Sequence, residues 1–348
     1  MLKRRYLFLI LIIYIFAISA VNAADNATND IVSTEETTDE VVSVEDSQVI
    51  LNKNKVGTFA DLNTIINGNI DRKIYLNQNY YYDNSSDGDF IDGITINRPV
   101  TIYGNGFTIS GENTARIFKV NKQNVVLQDI TFTNGKTSSY GGAIYGYSTA
   151  INCTFTNNHA SSGGAMYYGA AYNCTFTNNH ASSGGAMYYG AAYNCTFTNN
   201  HADGSGTMYG GSAYNCTFTN NHADGSGGAM RDGSAYNCTF TNNHASSGGA
   251  MYYGAAYNCT FTNNHADGSG GAMVSGDAYN CTFTNNYANW GGAMYNGDAY
   301  NCTFINNSAN RDGGAMYSSR VNSAISCQFI ENSQNNGGAT YQITANNC

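Results

Sequence analysis

The sequence predicts an all-β fold, a single-stranded right-handed parallel β-helix of about 21 residues per coil behind a short N-terminal capping helix. Three observations predict it. Ten cysteines (Cys153, Cys174, Cys195, Cys216, Cys238, Cys259, Cys281, Cys302, Cys327 and Cys348) recur at intervals of 21, 21, 21, 22, 21, 22, 21, 25 and 21 residues. A fixed period of that size marks stacked supersecondary units. Around most of them runs Ala-Tyr-Asn-Cys-Thr-Phe-Thr-Asn-Asn-His-Ala, first complete at Ala171–Ala181. At a fixed offset stands Gly-Gly-Ala-Met, as in Gly163–Met166, Gly184–Met187 and Gly248–Met251.

Within one repeat, Tyr172, Cys174 and Phe176 share one parity and Asn173, Thr175 and Thr177 the other. Strict alternation predicts a strand with the Tyr/Cys/Phe set inward. A polar corner, Thr-Asn-Asn, follows, then His-Ala and a Ser/Gly or Asp-Gly-Ser turn. Gly-Gly-Ala-Met-Tyr opens a second strand. Met166 has equivalents in Ile144, Met187, Met208, Met230, Met251, Met273, Met294 and Met316, whereas the next position also accepts Arg231 and Val274. Arginine is tolerated outside far better than inside, so Met points in and its neighbour out.

One such pair cannot bury its own apolar face, but stacked copies can. The extra residue in the coils of Asp224 and Asp267 falls in the turn after His, and three extra residues before Cys327 fall between the two strands. Length changes are tolerated there. No 3.6-residue apolar stripe runs beyond residue 140, which excludes helical and leucine-rich repeats. No six-residue sub-period points to a left-handed helix. About ten coils follow from Phe132, a stack of about 48 Å at the usual strand spacing.

In chain order, Lys3, Arg4 and Arg5 precede an apolar run from Tyr6 to Ala20, and Val21-Asn22-Ala23 offers small residues for cleavage. Residues 1–23 read as a secretory signal. Residues 24–52 hold eight acidic residues and no basic one, an acidic disordered linker. Residues 53–135 form the N-terminal cap and irregular first coils. Phe59, Leu62, Ile65 and Ile66 sit at helical spacing behind Thr58, a predicted N-cap, and this helix would cover the open edge of the first coil. Strands are expected at Ile74–Leu76, Ile94–Ile96, Val100–Tyr103, Phe107–Ile109, Ile117–Val120 and Val125–Phe132. Pro99, the one proline, stays outside the repeats. Residues 136–348 are the regular repeats. They stop where the next strand is half made, which reads as a truncated solenoid open to end-to-end self-association.

The ladders are the candidate functional features. Cys153, Cys174, Cys195, Cys216, Cys238, Cys259, Cys281, Cys302 and Cys327 read as an inward structural ladder of thiols. Inter-coil disulfides are the alternative, and no Cys-x-x-Cys spacing supports a metal–thiolate site. Six histidines (His159, His180, His201, His222, His244 and His265) share one turn position, continued by Tyr287 and Ser308. A stacked imidazole column suits a divalent metal, but the reading adopted is an exposed ladder with no metal. Asn158, Asn179 and Asn200 read as an inward amide ladder. Asn152, Asn173, Asn194, Asn215, Asn237, Asn258, Asn280 and Asn301 each open an Asn-Cys-Thr glycan-acceptor triplet on an exported chain. Neighbouring sites are too close for all to be occupied. Tyr167, Tyr188, Tyr252 and Tyr295 form a predicted outward aromatic face suited to sugar rings or a protein partner.

Net charge is −9, with Arg231, Arg311 and Arg320 the sole cations after Lys136. That argues against nucleic acid and anionic membrane surfaces as partners, and no membrane insertion is expected beyond the signal segment. Gly135-Lys136-Thr137 lacks the earlier glycine of a phosphate loop, because Ile130 stands there. Neither a Gly-x-Ser-x-Gly nor a His-Glu-x-x-His motif occurs. No break in the repeat isolates a catalytic cluster, so no catalytic residue and no cofactor are assigned.

Phe-x-x-Asn (Phe155–Asn158, Phe176–Asn179) alternating with Gly-Gly-Ala-[Ile/Met] resembles the repeats of chlamydial polymorphic outer-membrane proteins. With the upstream segment Ile94–Gly135, residues 53–348 are similar to adhesin-like proteins of methanogenic archaea. The resemblance implies a secreted or surface-displayed β-helix that attaches to glycans or proteins of neighbouring cells. The chain departs from that family in having no downstream immunoglobulin-like domains and no C-terminal anchor. A cell-envelope spacer is the alternative, and a β-helix polysaccharide lyase or hydrolase the third reading.

Overall fold

The computed structural model describes residues 56–334 and 338–348. The signal segment and the linker predicted for residues 1–52 lie outside the described residues. Among the described residues the fold is an all-β parallel solenoid of about thirteen turns with one α-helix, at Phe59–Asn67. Successive coils pair in register, Phe155 on Phe176 on Phe197, so each residue type stacks on its own kind. Phenylalanine rings from Phe132 to Phe329 lie 4.6–5.0 Å apart within 13° of parallel. Phe, Met, Ala and Cys fill the interior.

Each regular coil has four strand segments rather than two. Thr-Phe-Thr segments and the strands that stack on them, from Val56–Thr58 to Gln328–Ile330, make a thirteen-stranded sheet, and His-Ala segments with their equivalents up to Ser333–Gln334 a nine-stranded sheet. Met-Tyr and Ala-Tyr segments share the third. The alternation expected through Tyr172–Thr177 fails at Asn173, whose φ of 53° is left-handed. That residue turns the chain and flips the parity, so Tyr172 points out and only Cys174 and Phe176 point in. Asn suits the position because its side chain tolerates the left-handed region better than most. Residues after His, expected as a turn, extend the second sheet. The Asp-Gly insertion is a bulge in it, since Ala181 pairs with Ala202 but Ser183 pairs with Ser205.

Two inner ladders close the corners. From Cys153 to Cys281 each cysteine amide donates to the Sγ one coil on, at 3.4 Å. Each thiol also approaches the carbonyl two residues before it, Cys174 that of Tyr172 at 3.2 Å. At the next corner Asn179 Oδ1 accepts from both the amide and the Nδ2 of Asn158, each at 3.0 Å. Asn179 Nδ2 in turn donates to the Phe155 carbonyl. These buried polar atoms satisfy amides that the sheets leave unpaired. At the third corner Gly163 takes φ 64°, and a Cβ on Gly164 would collide with the Gly185 carbonyl.

The helix spans Phe59–Asn67, capped by Thr58 with Asp61 completing a capping box, and buries Phe59, Leu62 and Ile66. Two residues that sequence reading passed over hold it. Fully buried Asp87 accepts from the amides of Phe59, Ala60 and Asp83 at 2.8–2.9 Å. Arg98 donates to the Ile66 and Asp71 carbonyls at the other end. Strands Ile94–Ile96 and Val100–Tyr103 fall as expected. The two expected at Ile117–Val120 and Val125–Phe132 are divided differently. One strand runs Phe118–Gln128, and left-handed Asp129 starts the corner before Thr131–Thr133.

Candidate functional site

The regular repeat turns single outward residues into columns. On the Ala-Tyr strands, Tyr172, Tyr193, Tyr214, Tyr236, Tyr257, Tyr279 and Tyr300 form an unbroken half-exposed column. Their centroids are 4.7–4.9 Å apart and their rings nearly parallel. Sequence parity had placed this residue inside. The signal that could have found it is the Asn after it, the same left-handed corner type that recurs at Asn178.

The predicted face of Tyr167, Tyr188, Tyr252 and Tyr295 is one column on the Met-Tyr strands, half-buried and interrupted. Tyr167, Tyr188 and Tyr209 stack at 5.0 and 4.7 Å. Arg231 then takes the place of tyrosine, its guanidinium 5.7 Å from the Tyr209 ring and 5.3 Å from that of Tyr252. Its Nη1 donates to the hydroxyls of Ser205 and Ser226. Val274 separates Tyr252 from Tyr295, which stacks on Tyr317 at 5.1 Å. Burial and the adjoining Tyr189 hydroxyl push the Tyr188 phenol up to about 12. A shallow groove lies among Gln123, Tyr147, Ser148, Gly169 and Tyr189.

The eight predicted acceptor asparagines form an exposed column next to the continuous tyrosines. All eight are left-handed. Each side-chain Nδ2 from Asn173 to Asn301 donates to the Oδ1 one coil back, at 2.9–3.2 Å. The nine predicted ladder cysteines are buried unpaired thiols, and Cys348 is exposed. Burial pushes the Cys174 thiol well above its ordinary value, which keeps it protonated and unreactive.

The histidine column runs along the second sheet with rings 4.8–5.1 Å apart. Burial and the neighbouring imidazole hold His159 and His265 below their usual value. Bulged coils set a carboxylate among these rings. His180 Nε2 lies 2.6 Å from Asp203 Oδ1. Asp224 Oδ1 lies 3.1 Å from His201 Nε2 and 2.8 Å from His222 Nε2. Asp267 Oδ1 lies 3.2 Å from His244 Nε2 and 3.7 Å from His265 Nε2. Hydrogen bonding to the imidazoles lowers the Asp203 and Asp224 carboxyls. Sequence reading missed these aspartates as partners, although His-Ala-Asp-Gly-Ser against His-Ala-Ser-Ser marks them.

The Gly-Gly-Ala segment is broken at Gly206-Thr207, where one residue is missing. Thr207 is fully buried and donates to the Gly228 carbonyl at 3.0 Å, so the break is an internal splice.

Residues 215–229, 258–272 and 301–319 match the repeat of the Chlamydia polymorphic membrane protein family, so the chain carries repeats of that type. Among curated proteins no sequence matches this chain. One similar solved structure is an alginate lyase in complex with G6, at 10% identity and TM-score 0.34, covering 84% of this chain and 83% of that one. Another is the A-module of a mannuronan C-5 epimerase from Azotobacter vinelandii, at 10% identity and TM-score 0.31, covering 78% and 82%. At those values neither bears on what this chain does.

Proposed function

We propose that the chain is a surface-displayed, adhesin-like solenoid that attaches to glycans or proteins of neighbouring cells through the tyrosine-bearing sheet. The observation that carries this reading is the unbroken column of seven half-exposed tyrosines beside a column of exposed asparagine amides. Aromatic faces stack on the apolar faces of sugar rings, and amides bond their hydroxyls. Each contact is weak, but the coil repeat presents many equivalent ones to a polymer, which raises avidity without a deep pocket. Repeats of the polymorphic membrane protein type support display at a cell surface.

The test incubates the full chain with a glycan panel and intact cells, scoring retention and product release together. Retention without cleavage is the expected outcome. Product release would replace the reading with a polysaccharide-cleaving one. No retention on any surface would leave the spacer reading in its place.

A further inference from the structure

We propose that the bulged coils build three two-histidine, one-carboxylate sites for a borderline divalent cation of the Zn²⁺ class, the first two sharing a histidine, and that two of the three fill at saturation. The groups are His180/His201/Asp203, His201/His222/Asp224 and His244/His265/Asp267, the candidate ligand atoms of each lying within 4.8 Å of one another. The inference is independent of the attachment reading, because it concerns another sheet.

The argument begins with ligand type. Two imidazoles and one carboxylate suit Zn²⁺, Co²⁺, Ni²⁺ and Cu²⁺, whereas Ca²⁺ and Mg²⁺ require more oxygen ligands. A tetrahedral Zn²⁺ site holds its ligand atoms about 3–3.5 Å apart; five of the six Nε2–Oδ1 separations are 2.6–3.7 Å, and His201 closes on Asp203 from within 4.8 Å. The ladder fixes the rings before any metal arrives, as His159 to His265 pair backbone to backbone in register. The side chains are a third to two-thirds exposed, so a cation reaches them and positions remain open for water.

Occupancy follows from two conflicts. His201 belongs to the first and second groups, so these cannot fill together. The second and third conflict through Nδ1. His222 and His244 face each other Nδ1 to Nδ1 at 3.0 Å, so one must donate and the other accept. If both bound metal through Nε2, both Nδ1 atoms would carry hydrogen and repel. The first and third groups avoid this clash. In them His180 donates Nδ1–H to His159, 3.0 Å away, and His244 donates to His222. His159 and His222 thereby act as positioning residues, the outer partners that orient ligating imidazoles.

The test is equilibrium dialysis of the full, untagged chain against Zn²⁺ with excess Mg²⁺, with Co²⁺ absorption reporting the ligand set. Wild type is expected to hold two equivalents, with Co²⁺ bands of nitrogen–oxygen ligation and none of thiolate. His201→Gln and His265→Gln should each hold one, the lost site weakening by at least 10–100-fold. His222→Gln removes no ligand of the first or third group and keeps an acceptor for His244, so it should still hold two equivalents at saturation, the third group binding more weakly because its outer partner has changed. Circular dichroism checks that each variant is folded. Zn²⁺ uptake that is absent, or unchanged in both His201→Gln and His265→Gln, overturns the proposal. A single equivalent abolished by His222→Gln overturns the two-site assignment, and so do thiolate bands.

Discussion

From Cys153 to Cys302 the cysteine and asparagine corners are closed by the same atoms one coil away, whereas single residues hold the turns before Gly135. In the regular coils a cysteine sulfur meets one corner amide and an asparagine oxygen the next, over and over. In the N-terminal turns Asp87 takes three amides, Arg98 takes the helix C-terminus, and Arg116 donates to the Asp92, Tyr140 and Gly141 carbonyls. Repetition spreads stability evenly, as expected of a quasi-one-dimensional fold, while the irregular end concentrates it.

The sharpest break of that comparison pairs Phe218→Ala with Asp87→Ala. Phe218→Ala removes one ring from a continuous stack and should cost about 3–5 kcal/mol by denaturant unfolding. Asp87→Ala leaves three amides unpaired and should cost about 3 kcal/mol. Hydrogen exchange separates the two, since Asp87→Ala should expose Phe59–Asn67 first. Next, Asn200→Ala strips both an amide and a side-chain amide of their acceptor and frees the Phe176 carbonyl. It should cost about 2–3 kcal/mol, against about 1 kcal/mol for Cys195→Ala, whose sulfur is a weaker acceptor. Smaller still, Asn194→Ala at a left-handed corner should cost about 1 kcal/mol, and Asn194→Gly less.

Alkali probes the outer columns. Burial raises the phenols of Tyr172, Tyr193 and Tyr188, the last to about 12. The unfolded chain ionises near pH 10 and the folded chain later, so stability is intact below about pH 10. It should fall as pH rises from there to about 12, read by tyrosinate absorbance alongside unfolding.

Much of this was legible because repetition multiplies each signal. Interior Cys174 and Phe176 followed from parity, and the helix at Phe59 from its spacing and cap. Tyr172 was misplaced because parity carries across a strand but not across a left-handed residue, and alternation looks alike in both cases. Asp87 and Arg98 gave no pattern at all, since each is a single residue reaching the helix or its flank across 27 to 32 residues of chain. The Asp203, Asp224 and Asp267 partners of the histidines lay in an insertion that reads as a turn until the bulge sets them beside the neighbouring coil.

The measurement that bears most directly on attachment compares wild type with a Tyr193→Ser, Tyr214→Ser, Tyr236→Ser variant for retention on glycans and cells. Three adjacent rings leave the centre of the continuous column, so retention should fall at least tenfold while the variant stays folded. Unchanged retention by a folded variant would contradict the assignment of the tyrosine column as the attachment surface.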